Sequence, residues 1–363
     1  MRRGVSGKYL TGYIELIRPF IPAELPPDPP IEISDARQRL LERAMLSLCR
    51  LDTIGLPHYA FIRREAVLSE RISGNQSSLV DLLLFELKGA SDAPFRNVAE
   101  ISDYVAALEH GLTGLRSGFP LSNGLIREMH RVLFSRAWRS ITPGEFRDLQ
   151  NWAGGTRPSN AHYVPPPPTQ VENCMAALER FMQDSTFSML IKAGLVHVQF
   201  ESIRPFFRGN GRIGRMLVPL LTHPLLNLSL SLRDRQPHYH HMLDLVREEG
   251  DWESWLDFFL EAAGDAASNT ISIAQQLAAL LRDDARRVHA VGRGAPSTLR
   301  VYRGMCERPI TSLKKLCGST GLPFPTAANS IDRLTALGIV TELSGGRRNR
   351  VFAYDRYLAI IGC

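Results

Sequence analysis

The stretch HVQFESIRPFFRGNGRIGR, residues 197–215, carries the most specific information in this sequence. Its pattern predicts a helix that ends near residues 200–203, a glycine-rich loop at residues 209–211 and a new helix from about Arg212. Glycines let backbone N–H groups turn toward a ligand, and the N-terminus of a helix adds positive potential. The stretch therefore predicts a loop that binds an anion.

Arginines are concentrated around this loop, with four of them in twelve residues: Arg204, Arg208, Arg212 and Arg215. The alternative interpretation is a helix–loop–helix corner whose arginines are only solvated. Because arginine grips phosphate through paired, charge-assisted hydrogen bonds, the crowding favours a phosphate-bearing ligand. The residues expected to hold the phosphate or nucleotide are Gly209, Asn210, Gly211, Arg212 and Arg215.

The remaining sequence indicates a mainly α-helical protein. Of its 363 residues 44% are hydrophobic, which is enough to build packed cores and excludes disorder of the whole chain. Helical spacing of apolar residues is found at 33–56, 59–68, 98–114, 125–134, 171–183, 189–200, 213–221, 251–263 and 267–290, and residues 79–87 form a further apolar run. Residues 152–168 contain two glycines and four consecutive prolines, which permit only a loop or a short hairpin.

Three domains are expected from these patterns: an N-terminal helical domain at residues 1–95, a helical core at residues 96–290 and a winged-helix domain at residues 291–363. In the last domain the pattern predicts helices at residues 298–305, 312–318 and 325–337. Strands are predicted at residues 340–343 and 351–354, on either side of a polar segment.

The basic charge is concentrated in this last domain. Residues 294–363 hold ten Lys or Arg and four Asp or Glu, an excess of six that equals the net charge of the whole chain. Three arginines, Arg347, Arg348 and Arg350, lie between the two predicted strands. This placement favours DNA as a partner, with Arg347, Arg348 and Arg350 on the phosphates. The alternative is a winged helix used for packing or for a homodimer.

Several features point to a cytoplasmic protein with no membrane segment. The longest uncharged stretch, residues 216–232, contains two prolines and falls short of a spanning segment. The first residues lack the apolar region of a secretory signal. Five cysteines are scattered without a CxxC pair, which indicates reduced thiols rather than a zinc site.

The motif and its surroundings resemble the Fic (Fido) family, whose motif is HPFx(D/E)GNGRxxR. Residues 203–215, IRPFFRGNGRIGR, are similar to it. GKYLTG, PPDPP and EAVLSERISGNQSSLVDLLLFE resemble the N-terminal part and the inhibitory helix of the stand-alone, inhibited class. GGTRPSNAHYVPPPP resembles the flap of that class, and GDWESWLDFFLEA a later helix. The resemblance implies a Fic/Fido helical core with a β-hairpin flap, followed by a winged helix-turn-helix.

The resemblance also implies a reaction, the transfer of AMP from ATP to a hydroxyl of a target protein. The motif histidine is the general base, the acidic residue holds Mg²⁺, and the loop and arginines bind the phosphates. The flap pairs with the target as an added strand; by resemblance its residues here are Gly155, Thr156, Arg157, His162, Tyr163 and Val164. Tyr239 is placed near the nucleotide base, with an ordinary aromatic core as the alternative.

The sequence departs from the family at the positions that carry the chemistry. Arg204 replaces the histidine, and an arginine stays protonated and cannot act as a general base at neutral pH. Arg208 replaces the acidic residue, and a guanidinium cannot ligate Mg²⁺. Ser73 replaces the inhibitory glutamate, which in the family engages the arginine that corresponds to Arg215. His197, two helical turns before Arg204, is expected to be structural rather than a substitute base.

Three functions follow from these observations. The first is a degenerate Fic protein that binds ATP, another nucleotide or another phosphate ligand without Mg²⁺ at the usual position. It would act through its winged helix on DNA or on a partner. The second is a Fido-fold transferase with altered chemistry. The third is ordinary protein AMP transfer, ranked last because the base and the metal ligand are both replaced. A protein target at the flap is expected in any version that transfers a group.

Overall fold

The computed structural model describes residues 3–10, 17–55, 58–88, 96–136, 142–345 and 349–362. The chain forms two compact units, each built from two separate stretches. The first unit contains Met1–Leu51 and Asp103–Ser268, and the second contains Asp52–Ser102 and Asn269–Cys363. Two helices, α4 (Arg96–Arg116) and α11 (Trp252–His289), contribute residues to both units.

The first unit is a helical assembly with a short antiparallel hairpin. Its elements are β1 (Gly7–Tyr9), β2 (Phe20–Pro22), α1 (Asp35–Leu51), α5 (Asn123–Leu133), α6 (Pro168–Gln183), α7 (Met189–Ile203), α8 (Asn210–Leu221), α9 (Leu228–Asp234) and α10 (Gln236–Glu249), together with parts of α4 and α11. β1 and β2 pair in antiparallel register, with Lys8 opposite Ile21. α7 is buried on nearly all sides, which explains why its sequence is apolar around its whole circumference.

The second unit combines helices with a small sheet. Its elements are α2 (His58–Ile72), α3 (Leu79–Lys88), α12 (Ala295–Glu307), β3 (Ile310–Ser312), α13 (Leu313–Thr320), α14 (Phe324–Ala336), β4 (Thr341–Glu342), β5 (Val351–Ala353) and α15 (Asp355–Ile361). The three strands form an antiparallel sheet in the order β3–β5–β4. The buried residues of α14 (Ala327, Ser330, Ile331 and Leu334) form one stripe at helical spacing, which leaves the opposite side of the helix exposed.

Helices predicted from apolar spacing are confirmed, with one correction. The sequence predicts separate helices at residues 251–263 and 267–290, whereas the structure has the single 38-residue helix α11. The predicted break lies beside Gly264, which a helix tolerates. A Cβ built on Gly264 would lie 3.7 Å from Ala44 Cβ of α1, an ordinary van der Waals distance, so the helix packing does not require glycine here.

Several short elements were missed by the periodicity analysis, whereas β4 and β5 lie within the predicted strands. β1, β2, β3 and α15 are three to seven residues long, and windows of that size carry too little pattern to separate strand, helix and loop. The helices α9 and α10 were also missed. In α10 a proline and three histidines in the first six residues obscure the apolar spacing. Residues 152–168 form a loop with one antiparallel bridge between Ala153 and Tyr163, as the glycines and prolines predicted.

None of the helices in the described part of the chain combines the length and the hydrophobicity needed to cross a membrane. Cys49, Cys174, Cys306 and Cys317 are all free thiols.

Candidate phosphate-binding site

The central loop connects the end of α7 to the start of α8 and has a left-handed residue at each end. Arg204 is the C-cap of α7, with φ 47° and ψ 62°, and Gly209 is the N-cap of α8, with φ 79°. A left-handed conformation suits Gly209, whereas it costs an L-residue such as Arg204 about 1–2 kcal/mol. Surrounding contacts must therefore hold the backbone of Arg204 in place.

A buried arginine, Arg147, provides those contacts. Its Nε donates to the carbonyl of Arg204 at 2.9 Å, and its backbone N–H donates to the carbonyl of Pro205 at 2.9 Å. Its Nη2 also donates to the carbonyl of Pro166, at the base of the 152–168 loop. Arg147 is only 5% exposed. One side chain thus fixes the backbone of Arg204 and joins it to the neighbouring loop.

The middle of the loop is held by two asparagines. Asn210, 1% exposed, accepts from the N–H of Phe206 at 2.8 Å and donates to the carbonyl of the same residue at 2.6 Å. Asn151 donates to that carbonyl as well, at 2.9 Å. The asparagine of the Gly-Asn-Gly motif therefore closes the loop on itself, and its side chain shapes the site rather than facing a ligand.

A histidine of α5 holds the last part of the loop. His130 Nδ1 accepts from the N–H of Gly144 at 2.9 Å, so its Nε2 carries the proton that bonds the carbonyl of Arg208 at 3.1 Å. The ring stacks on Phe206, with centroids 3.8 Å apart and planes 6° from parallel. Burial lowers the pKa of His130 to about 4, so the ring is neutral at physiological pH.

The four arginines have different environments. Arg204 Nη1 lies 3.4 Å from Glu201 Oε2, while its buried Nε has no hydrogen-bond partner in the described part of the chain. Arg208 is exposed, and Arg215 is 5% exposed. Arg212 is partly exposed, with its guanidinium carbon 5.9 Å from the centre of the Phe134 ring. Of the residues expected to bind phosphate, those at positions 209–212 are consecutive at the start of α8, and Arg215 follows one turn later.

His197 occupies the protein core. It is fully buried; its Nδ1 lies 3.0 Å from the carbonyl of Gly214 and its Nε2 lies 2.9 Å from the hydroxyl of Tyr239. Burial lowers the pKa of His197. Both ring nitrogens are used inside the protein, which leaves neither to accept a proton from a substrate.

Tyr239 and Trp255 share this buried cluster. Tyr239 is 3% exposed, and Trp255, fully buried, donates from its indole to the carbonyl of Gly194 at 3.0 Å. Both rings are buried, and for Tyr239 this burial is what the core alternative describes.

The flap residues form a closed turn that is anchored to its neighbours. Ala153 and Tyr163 exchange two backbone hydrogen bonds, at 2.8 and 3.1 Å. The tip, at Gly155, Thr156 and Arg157, is folded onto the side chain of Asn160. His162 Nε2 lies 2.8 Å from Asp244 Oδ2 on α10, and the carbonyl of Val164 accepts from the N–H of Phe20 in β2.

The remaining predicted site residues lie in the second unit. Ser73 is exposed and follows the last residue of α2, and its N–H donates to the carbonyl of Glu70 at 3.0 Å. Arg350 forms ion pairs with Glu342 at 2.9 Å and with Asp332 at 3.3 Å. Arg347 and Arg348 fall outside the described residues.

A Mg²⁺ ion does not fit the chemistry of this loop. The side chain at the position expected to ligate the metal is the guanidinium of Arg208, which has no lone pair to donate and repels a cation. Within the described ranges no group of three or more His, Cys, Asp or Glu residues is arranged to hold a metal ion. Phosphate, by contrast, matches a donor set of backbone N–H groups at the start of α8 and arginine side chains.

Comparison with known families agrees with this geometry. The Fic/DOC family model matches residues 120–222, and the Fic/DOC family N-terminal model matches residues 38–113. The chain belongs to the Fic/DOC family. The first of these matches contains the flap, α7, the loop and α8.

Curated relatives and solved structures support the same assignment. The chain is 31% identical over 143 residues to the protein adenylyltransferase Fic of Drosophila yakuba, which covers 38% of this chain and 26% of that protein. A probable protein adenylyltransferase of Aquifex aeolicus is 35% identical over 78 residues, covering 21% of this chain and 24% of the relative. The chain thus spans about a quarter of the length of these curated relatives.

Two solved structures share the fold. A Fic family protein from Desulfovibrio desulfuricans has a TM-score of 0.59 at 21% identity, covering 90% of this chain and 97% of that one. Fic-1 of C. elegans has a TM-score of 0.52 at 20% identity, covering 66% and 73%.

The residues that shape the loop from outside were missed by the sequence analysis. His130, Arg147 and Asn151 precede the motif by 50 to 80 positions, and each acts on a backbone carbonyl. Because any residue can supply a backbone carbonyl, such a contact requires no particular residue type at the partner position. The surrounding sequence is itself rich in polar residues, REMHRV at 127–132 and EFRDLQN at 145–151, so no sequence signal marked them.

Proposed function

We propose that this Fic-family protein binds a phosphate-bearing ligand at the loop between α7 and α8, without a metal at the usual position, and that ordinary AMP transfer is impaired. The observation that carries the proposal is the pair of arginines, Arg204 and Arg208, within a loop whose backbone is already fixed. Arg147, His130 and Asn210 hold that backbone before any ligand arrives. A preformed site of this kind loses little conformational freedom on binding.

The charges of the two arginines take the place of a metal ion. A phosphate group gains from cations within a few ångströms, and arginine supplies that charge together with directional hydrogen bonds. The buried, unpartnered Nε of Arg204 is a donor that a ligand oxygen can satisfy. Nucleotides such as ATP are the expected ligand class, because the family motif is present apart from these two positions.

Two further functions remain as ranked alternatives. A Fido-fold transferase with altered chemistry needs another group to accept the proton of the target hydroxyl. Protein AMP transfer, the activity named for the curated relatives, needs a base and a metal ligand at the positions that Arg204 and Arg208 occupy. We rank AMP transfer last for that reason.

Native mass spectrometry of the purified full chain tests ligand binding. We expect mass shifts that correspond to bound nucleotide or polyphosphate when these are added without divalent metal. Arg212→Ala should reduce the bound fraction at least about tenfold, as expected for the loss of one charge-assisted contact. Arg39→Ala, which removes an exposed arginine on α1, serves as the matched control. Equal binding by both variants contradicts the proposed location.

We further infer that residues 295–361 form a winged-helix domain that binds duplex DNA. In support, α12, α13 and α14 accompany the three-stranded sheet, and this segment carries an excess of six positive charges. Lys314 and Lys315, in the first turn of α13, and Arg303 on α12 are exposed. Exposed cations of this kind bind phosphates and release counterions.

The salt dependence of DNA binding tests this second function. The slope of log K against log salt should become less steep by about two when Arg347 and Arg348 are replaced by alanine, since each phosphate contact contributes about 0.9. Arg350→Ala should change the slope by less, because Glu342 and Asp332 already compensate its charge. Arg157→Ala, in the flap, is the control. If neither the Arg347 and Arg348 substitutions nor Arg350→Ala changes the slope, this segment does not contact the DNA phosphates.

A further inference from the structure

We propose that α14 reads A·T base pairs in the major groove of DNA, an inference that rests on the DNA binding proposed above. The exposed side of α14 begins with Phe324, whose side chain is 61% exposed at the first position of the helix. Pro325 and Asn329, four residues apart, are exposed on the same side, and Ala328 between them is partly exposed. Ala328 is the small residue in the middle of this side and Asn329 is its polar residue, and the exposed Asp332 and Arg333 continue the side one turn further on.

The opposite side of α14 is fully used for packing. Ala327, Ser330, Ile331 and Leu334 are all buried, and Ser330 bonds the hydroxyl of Ser297 on α12 at 3.2 Å. The orientation of the helix is therefore fixed by its core side, and Phe324 cannot turn inward. An exposed phenylalanine at a fixed position is an anchor for a partner when its surroundings match that partner in charge.

The surroundings match a polyanion. Arg300 on α12 donates to the carbonyl of Thr320, and its Nη2 lies 3.6 Å from a Cβ built on Gly321, in the turn that leads into α14. The exposed Lys314 and Lys315 start α13, the helix that precedes this turn. Charge complementarity therefore favours a polyanion over a neutral or basic surface, and the duplex DNA proposed above is the polyanion to which this inference commits.

The exposed residues have the chemistry for an A·T pair. An asparagine carboxamide forms two hydrogen bonds with the N6 and N7 atoms of adenine, and a phenylalanine ring contacts the methyl group of thymine. The first turns of a recognition helix are the part that reaches base edges. Asp332, one turn further on, is exposed but lies 3.3 Å from Arg350, so its repulsion of nearby phosphates is reduced.

Selection from a random pool of duplex DNA by the full chain tests the inference. We expect the enriched sequences to share at least one A·T pair at a fixed position. Asn329→Ala should relax the preference at that position about tenfold, and Phe324→Ala should relax a thymine preference beside it, both without changing the salt slope. Asn329→Arg should shift the preferred pair to G·C, since arginine binds the O6 and N7 atoms of guanine. Thr335→Ala, exposed near the other end of α14, is the control.

The outcomes separate this inference from the function on which it rests. DNA binding with a salt slope but no A·T preference, or with a preference that Asn329→Ala and Asn329→Arg leave unchanged, overturns the role of α14 and leaves DNA binding standing. Failure to bind any duplex at low salt overturns DNA binding itself. Because the substituted side chains are exposed, circular dichroism spectra should match the wild type, and a variant that loses helicity is replaced by Phe324→Leu or Asn329→Ser.

Discussion

At the scale of single residues, Arg204 decides what the loop can do. Its left-handed backbone requires Arg147, and its side chain lies between Glu201 and the loop. A histidine in the same conformation has a lone pair for a proton, whereas the guanidinium of Arg204 has only donors. Compared with the motif that the resemblance supplies, the first residue here is a permanent cation in place of a proton acceptor.

AMP labelling follows from this change. Purified protein incubated with ATP and Mg²⁺ should label neither itself nor a cell lysate with AMP above background, because a missing general base alone removes roughly 10²–10⁴ in rate. Labelling is measured with an isotopically labelled nucleotide on denatured protein. Strong labelling by the wild type that disappears in Arg204→Ala contradicts the account.

The matched gain-of-function variant combines Arg204→His with Arg208→Asp, which restores the residues of the family motif. We expect labelling to appear in this double variant. Because Ser73 stands where the resemblance places the inhibitory glutamate, a glutamate introduced by Ser73→Glu should lower that labelling.

At the scale of elements, the loop and the start of α8 form a rigid platform. Gly209 is the residue at which the chain turns into α8, and a Cβ at this position would lie 2.5 Å from Cε2 of Phe134. Gly209 thus meets two requirements at once: the backbone needs a positive φ, and the space beside it leaves no room for a side chain.

Gly209→Ala should lower the free energy of unfolding more than a substitution that conflicts only with a positive φ. Gly118 has φ +86° and open space around it, so Gly118→Ala should cost about 1–2 kcal/mol from the left-handed conformation alone. Gly209→Ala adds the contact with Phe134, and we expect about 1 kcal/mol more. Urea unfolding of both variants measures the difference; equal values contradict the tight packing of the loop.

Helices could be predicted from the sequence where the apolar spacing extends over several turns. α5, α6, α7 and α8 were all predicted from apolar spacing, and the loop between α7 and α8 from its glycines. The core position of His197 was also expected. Tyr239 stayed open between pocket wall and core, because an aromatic residue on a helix has the same sequence signal in either place.

The contacts that shape the site could not be predicted. His130, Arg147 and Asn151 bond backbone carbonyls that lie 55 to 78 residues away in sequence. Long-range pairing of a side chain with the main chain depends on tertiary packing and not on the identity of the partner residue. The motif therefore revealed the loop, while the groups that hold it became apparent only in the folded chain.

At the scale of the whole molecule, the charge distribution separates two kinds of binding. The 293 residues before Gly294 have no net charge, while the segment from Gly294 onward carries the entire excess of six. The proposed phosphate binding at the loop would therefore be a local effect of a few arginines, whereas the proposed DNA binding by the last segment would depend on its overall field. Added salt should weaken the second much more than the first.

Isothermal titration calorimetry of the full chain with ATP, in Mg²⁺ and again in EDTA, tests the central claim most directly. Because Arg204 and Arg208 supply positive charge at the loop, the dissociation constant should change by less than about threefold when the metal is removed, and Arg212→Ala or Arg215→Ala should weaken binding in both buffers. Binding that requires Mg²⁺ contradicts the role given to Arg208, and the absence of binding by ATP, ADP, AMP and polyphosphate in either buffer contradicts a phosphate site at this loop.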